Sequence, residues 1–269
     1  MSDLSQYQAV ILCGGQGTRI RSVSQDLPKP LIDVGGKPIL WHIMKTYSYY
    51  GVRKFVLCLG HKGEAIMDYF ENYHAYTHDF TMSVRERDKK TFHANGREKG
   101  DADVDDWEIT FALTGEETQT GGRIRRVARH IQGDRFFCTY GDGVCDVDLR
   151  DLLAFHQKNG KLATLTGVHQ PTTFGIVEAE EDGSITSFRE KPVLPGMING
   201  GYFVFEKQVL DYIDDDATVL EGKPFKRLVR DRQIAMFRFE GFWHCMDTYK
   251  DYQSLNELWR AKAAPWKVW

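Results

Sequence analysis

The sequence predicts an α/β fold: a mostly parallel twisted sheet with helices on both faces and a small antiparallel extension. Two observations carry this expectation. Apolar strand-like runs alternate with helix-like runs through the first two thirds of the chain, the pattern that builds parallel sheets. Two glycine-rich turns, at 14–17 and 141–143, follow strand-like runs on their carboxyl side, where ligands bind in such sheets.

Taken in order, residues 8–13 read as a buried strand and 54–59 (KFVLCL) as another. Between them, 39–50 (ILWHIMKTYSYY) has helical spacing and stops at Gly51, a favoured C-cap residue. A second helix is expected over 63–76, a short strand at 136–140 (FFCTY), a helix over 149–158 ending at Gly160, and a strand at 163–168. Residues 85–106 are densely charged and hold two glycines, which implies a mobile excursion from the core. From 173 onward the short runs FGIVEA, SITSFRE and GGYFVFE predict the antiparallel extension. No internal repeat or low-complexity linker marks a domain boundary.

A chain of 269 residues with 42% hydrophobic content can bury a full core. Its net charge of −3 provides no basic field to attract nucleic acid. The opening MSDLSQYQAV has neither a basic n-region nor an apolar h-region. No apolar run approaches the roughly 20 residues that span a bilayer. The five cysteines (Cys13, Cys58, Cys138, Cys145, Cys245) have no CxxC spacing, so buried free thiols are expected rather than a zinc or redox motif. The expectation is a soluble, cytoplasmic protein with no nucleic-acid or membrane partner.

The first glycine turn, ILCGGQGTRI at 11–20, is not the dinucleotide fingerprint, because Ile20 stands where a third glycine is needed. It is not a P-loop either, since no Gly-Lys-Ser/Thr follows. Bare backbone N–H groups with the Thr18 hydroxyl and Arg19 guanidinium beside them suit a triphosphate; a tight structural turn is the plainer alternative. In LPKPL, prolines at 28 and 30 flank Lys29, which is expected to be held extended and to deliver its ammonium to a fixed point. Asp142, in YGDG, is placed as a Mg²⁺ ligand or as an ordinary Asp-Gly turn. Asp247, in GFWHCMD, is either a second carboxylate on that metal or a cap for a helix starting near Thr248. Asp146 and Asp148 form a competing DxD pattern of metal-dependent glycosyltransferases.

Glu190-Lys191 could accept sugar hydroxyls and neutralise a sugar phosphate, and Asn199 offers an amide beside flexible backbone. On these residues alone, a charged surface turn is the favoured reading for both. Gly121-Gly122-Arg123 opens an arginine-rich helix whose start leaves N–H groups for a base edge or phosphate, while Arg125, Arg126 and Arg129 read as a solvated face. His42, His61, His156 and His244 show no metal-ligand spacing, and no nucleophilic triad stands out.

In this order, GGxGTR, PKP, YGDG, EKP, NGG and WxxMD resemble the sugar-phosphate nucleotidyltransferases. KPILWHIMKTY, GHKGEAIMDYF, TGGRIRRV, TYGDGVCDVDL, EGFWHCMDT and APWKVW extend the resemblance to the glucose-1-phosphate cytidylyltransferase branch, over nearly the whole chain. The resemblance implies a Rossmann-like domain over 1–269, with a nucleotide-binding half at about 1–150 and a sugar-phosphate-binding and C-terminal part at about 151–269. It implies Mg²⁺-dependent reaction of CTP with a sugar 1-phosphate, and a homo-oligomer. By the same resemblance, Gly14, Gly15, Gly17, Thr18 and Arg19 hold the triphosphate, with Cys13 and Thr120 beside the nucleotide. The Leu12 backbone and Gly121 face the base, Arg19, Lys29 and Asp142 are catalytic, and Asp142 with Asp247 holds Mg²⁺. Gly175, Glu190, Lys191 and Asn199 line the sugar phosphate.

The chain departs from the branch at Leu113-Thr114-Gly115, at Thr172-Thr173, and over 222–228, where lysines replace acids. These positions bear on the sugar more than on the chemistry. The charged 85–106 segment and the tail with Trp266 and Trp269 are candidates for subunit contacts.

Overall fold

The computed structural model describes residues 3–15, 17, 20, 27–85, 89–93, 106–170, 172, 174–193 and 196–269. Thr18, Arg19, Thr173 and most of the charged 85–106 segment lie outside the described residues, so the expectations placed on them are not addressed below.

The chain opens with β1 (Gln8–Leu12), a short hairpin of β2 (Asp33–Val34) and β3 (Lys37–Pro38), α1 (Ile39–Tyr49) and β4 (Lys54–Leu59). Then come α2 (Gly63–Glu71), α3 (Tyr73–Thr77), the β5 (Phe80–Met82) and β6 (Lys90–Phe92) hairpin, β7 (Glu108–Leu113) and α4 (Thr120–Arg126). The middle holds β8 (Arg135–Tyr140), β9 (Gly143–Cys145), α5 (Leu149–Asn159) and β10 (Ala163–Val168). The last part runs through β11 (Ile176–Ala179), β12 (Ile185–Arg189), β13 (Ile198–Glu206), α6 (Lys223–Arg230), β14 (Ile234–Phe239), β15 (Trp243–Cys245) and α7 (Tyr249–Arg260).

Seven strands form the central sheet in the order β14-β10-β13-β8-β1-β4-β7. Every neighbouring pair is parallel except the two made by β13, which runs antiparallel to both β8 and β10. Alternate side chains of one strand feed two cores, as the period of two requires. Ala9, Ile11, Phe55, Leu57 and Phe137 face the core beneath α1, α2, α5 and α7. Val10, Leu12, Val56, Cys58, Phe136 and Cys138 face the core beneath α4 and α6. A strand buried on both faces reads as a near-continuous apolar run, which is why QAVIL and KFVLCL read as strands.

Helix ends follow local chemistry. Gly160 ends α5 at φ +59° and donates its N–H to His156 O at 3.1 Å, the left-handed cap that glycine makes without strain. At the other end of α5, Asp148 accepts from the Arg150 N–H. The helix expected over 63–76 is instead two, broken at Asn72, whose side chain donates to Asp68 O.

One strand expectation is corrected. The GGYFVFE run does not belong to the extension; it enters the central sheet as β13, leaving the extension as the β11–β12 hairpin. The Trp-rich tail folds back onto its own chain: Trp266 is wholly buried and its indole donates to His42 Nδ1 at 3.3 Å. All five cysteines are free, four of them buried. Among the described residues, no helix is long and apolar enough to cross a membrane.

Candidate active site

A cavity of about 430 Å³ opens at the carboxyl ends of β1 and β8. One wall is the glycine turn with Leu12, Cys13, Gly14, Gly15 and Gly17; the opposite wall is 116–120 with Arg123; Lys29, Tyr140, Asp142 and Asp247 close a third side. The Cys13 N–H donates to Cys58 O at 3.1 Å, and Gly141 N–H donates to Leu12 O at 3.0 Å. These bonds fix where the turn leaves the sheet.

The three loop glycines differ in their surroundings. A Cβ on Gly14 would meet the Arg123 guanidinium at 2.2 Å, and Gly17, at φ +58°, would place one 3.2 Å from Lys29 Cβ. Gly15 is exposed and has nothing within 4 Å of that position. Gly14 is therefore glycine for packing, Gly17 for backbone conformation, and Gly15 leaves open space on the cavity.

Arg123 is the residue that sequence reasoning missed. Buried to 5% exposure, it donates to Leu59 O, Thr114 Oγ1, Gly115 O, Gly14 O and Glu116 O at 2.7–3.1 Å. One rigid, five-donor fork thus ties the glycine turn to the ends of β4 and β7. The helix start was read for its free N–H groups and not for this side chain; the neighbouring glycines, Gly121 and Gly122, were the available signal. They pack α4 against Thr218 and Asp216 backbone, with Cβ clearances of 2.8 and 2.5 Å, and so turn Arg123 inward. Gly121 itself is absent from the cavity lining, whereas Thr120 lines it and donates to Glu221 Oε2 at 3.0 Å.

The two carboxylates meet because β9 and β15 pair antiparallel, with Gly143 opposite Cys245, and because Met246 N–H donates to Asp142 O at 2.9 Å. Thr248 and Asp251, not Asp247, cap α7 through a reciprocal capping box. Asp247 is left facing the cavity. Lys29 is not extended, as the flanking prolines had implied; it opens a 3₁₀ turn (Lys29–Leu31), closed by Ile32 N–H to Lys29 O at 3.1 Å. That turn satisfies the backbone that an extended segment would leave to water. Lys29 Nζ lies 2.6 Å from both Asp142 Oδ2 and Asp247 Oδ1. Burial alone would push this ammonium's pKa down, but Asp142 above all, with the second carboxylate, more than offsets that and raises it.

Asp142, Asp247 and Cys245 each offer a donor atom, all within 4.8 Å of one another. Two half-buried carboxylate oxygens suit a hard divalent cation. Among the described lining residues, four acids (Glu116, Glu117, Asp142, Asp247) face two cations, Lys29 and the fully engaged Arg123. The donor set of two neighbouring carboxylates therefore fits a metal. The DxD pair does not belong to this cluster: Asp146 accepts from Phe242 N–H at 2.8 Å, and Asp148 caps α5 and pairs with Arg150.

The expected sugar-phosphate residues are only partly brought to the cavity. Asn199 donates to the Tyr140 hydroxyl at 3.4 Å and so touches the wall. Gly175, Glu190 and Lys191 sit on the β11–β12 hairpin and are absent from the lining. Glu190 and Lys191 pair at 3.2 Å, and Lys191 holds a left-handed φ of +45°, an uncommon conformation for a residue with a side chain.

The sequence profile described as "Nucleotidyl transferase" matches residues 8–261. A curated relative from Salmonella typhi, "Glucose-1-phosphate cytidylyltransferase", is 43% identical over 264 residues, covering 97% of this chain and 99% of its own. A "Probable glucose-1-phosphate cytidylyltransferase" from Bacillus subtilis (strain 168) is also 43% identical, covering 97% and 100%. The crystal structure of HddC from Yersinia pseudotuberculosis shares the fold with a TM-score of 0.67 at 24% identity, over 94% of this chain and 99% of that one. The chain belongs to the nucleotidyl transferase family and is an enzyme of the glucose-1-phosphate cytidylyltransferase type.

Proposed function

We propose that residues 1–269 form one domain that transfers CMP from CTP to a sugar 1-phosphate, with α-D-glucose 1-phosphate the leading acceptor, and releases pyrophosphate. The observation that carries this reading is the placement of Lys29, Asp142 and Asp247 at one side of a cavity whose other wall is the glycine turn. The relatives' names point to the same nucleotide and sugar. A phosphate oxygen of the acceptor attacks the α-phosphorus of the nucleotide, the bond to the bridging oxygen breaks, and the electron pair leaves with pyrophosphate. A phosphate dianion is already a nucleophile at neutral pH, so no general base is required. Positioning two polyanions and stabilising charge on the leaving group is the task.

In this reading the open Gly15 face and the Arg19 side chain hold the triphosphate, Thr120 borders the nucleotide, and Lys29 binds phosphate oxygens near the reacting phosphorus. Asp142 and Asp247 would hold Mg²⁺, which supplies charge neutralisation on the triphosphate. Asn199, reached through Tyr140, and the Glu190-Lys191 hairpin end would contact the sugar phosphate once that hairpin lies over the cavity. A homo-oligomer in the cytoplasm completes the reading. Phe174, Ile185 and Phe188 on the extension are 78%, 67% and 63% exposed, an apolar surface suited to a second copy.

Pyrophosphate release across four nucleoside triphosphates and a panel of sugar phosphates tests the proposal. CTP with glucose 1-phosphate is expected to be the best pair. Strong preference for another phosphate, which the departures at 172–173 and 222–228 would explain, replaces the acceptor, and no release with any pair overturns the reading.

A further inference from the structure

Lys29 places its ammonium 2.6 Å from both carboxylates of the cluster that fits a divalent ion. A metal on those same oxygens would sit at about 2.1 Å from each. Two cations in so small a volume repel strongly. The lysine side chain is only 11% exposed, so its ammonium occupies the protected space between the two carboxylates rather than a solvated position. The ammonium and the metal are thus alternatives for one place.

The lysine is also built to move. Its backbone is fixed by the 3₁₀ turn, Leu31 N–H to Pro28 O at 2.9 Å and Ile32 N–H to Lys29 O at 3.1 Å. Its stem is four flexible carbons, and it starts beside the turn, with Lys29 Cβ 3.2 Å from where Gly17 would carry its own. Rotation about that stem moves the ammonium without altering the backbone.

We propose that Lys29 is an internal counter-ion that keeps the Asp142–Asp247 site closed to divalent metal until a triphosphate draws its ammonium onto the glycine turn. Metal and nucleotide then bind as a thermodynamically linked pair, each strengthening the other by the same factor. This rests on the reading of Asp142 and Asp247 as metal ligands and of the glycine turn as the triphosphate site. It adds an order to binding: little metal on the free enzyme, and metal together with nucleotide.

Mn²⁺ titration of the nucleotide-free protein, followed by the spin-resonance signal of the free ion, tests the proposal without turnover. Lys29→Gln is expected to bind Mn²⁺ at least about tenfold more tightly than wild type. Lys29→Arg, which keeps the charge, should stay near wild type, and adding Asp142→Asn to Lys29→Gln should remove the gain. Equal affinities in wild type and Lys29→Gln overturn the proposal. If Lys29→Gln folds only poorly, recovery of its native circular dichroism by Mn²⁺ but not by K⁺ supports the proposal, and absence of recovery overturns it. Failure of pyrophosphate release would remove the transferase reading yet leave these affinities interpretable, so the two failures are distinguishable.

Discussion

The guanidinium of Arg123 fills the space that a side chain on Gly14 would take, with a clearance of 2.2 Å from its Cζ to a Cβ there. The first glycine of the turn is an accommodation to this buried cation. Gly14→Ala must therefore displace an arginine that holds four backbone carbonyls and one hydroxyl. A loss of about 3 kcal/mol is expected, combining overpacking with unsatisfied acceptors. Urea denaturation measures it, and an unchanged midpoint would show that the clamp is dispensable.

Gly15→Ala separates fold from binding. With nothing within 4 Å and no left-handed φ, the extra methyl should leave the melting temperature within about 2 °C of wild type. It points into the space assigned to the triphosphate, so KM for the nucleotide should rise about tenfold or more. A normal KM would remove Gly15 from the nucleotide contacts.

Asp148→Ala and Asp142→Asn distinguish the two acidic motifs. Loss of the Asp148 cap and its pair with Arg150 should lower stability by about 1 kcal/mol while leaving the metal dependence of the rate as in wild type. Asp142→Asn should instead cut turnover by a factor of about 100 or more at nearly normal stability. The reverse outcome in steady-state assays over a metal series would favour the DxD pair.

Lys29→Ala should lower kcat by a factor of about 100 to 1,000, the loss expected when one charged donor to a developing anion is removed. Single-turnover measurement of the chemical step is the check, and a wild-type rate would refute a catalytic role.

His42 provides a pH signature. Burial pushes its imidazole down to about 4; its Nε2 lies 2.8 Å from Val34 O, while Nδ1 accepts from the Trp266 indole. Both contacts fit the neutral ring, with Nε2 carrying the proton. Because the folded pKa lies below the unfolded value of about 6.5, the unfolded state binds more protons between these values. The stability is fully present above about pH 6.5 and is lost as pH falls toward 4, by about 3 kcal/mol in all. Unfolding free energies of wild type and His42→Gln, compared from pH 4 to 7.5, should diverge in the upper part of that range and converge in the lower. Parallel curves would show that the ring titrates normally.

Much of the fold was legible because strands buried on both faces read as near-continuous apolar runs, so QAVIL and KFVLCL announce themselves. β13 was harder. Its sequence, INGGYFVFE, satisfies any buried strand, and only its antiparallel pairing to β8 and β10 decides its place. Periodicity carried the helix past Asn72, where side-chain competition for Asp68 O ends it. In the site, Lys29, Asp142 and Asp247 were each readable as chemistry, but their convergence depends on pairing between β9 and β15 across 98 residues from Cys145 to Trp243. Arg123 was named only as part of a helix start and given no role, because composition gives a surface arginine and a buried one the same letter. The placement of Glu190 and Lys191 away from the cavity matches the charged surface turn that their residues alone suggested.

The pairing of β9 with β15 also sets when the enzyme can exist. A nascent chain that has emerged only as far as Glu240 already carries the glycine turn, Lys29 and Asp142, but neither β15 nor Asp247. Half of the carboxylate pair is then missing and Lys29 has one partner where the finished site gives it two. The site is therefore completed only after β15 and Asp247 have been made, so chains that stop before them are expected to leave the nucleotide pool untouched. Absence of pyrophosphate release from ribosome-stalled chains ending at Glu240, against release from the full chain, is the measurement that checks it.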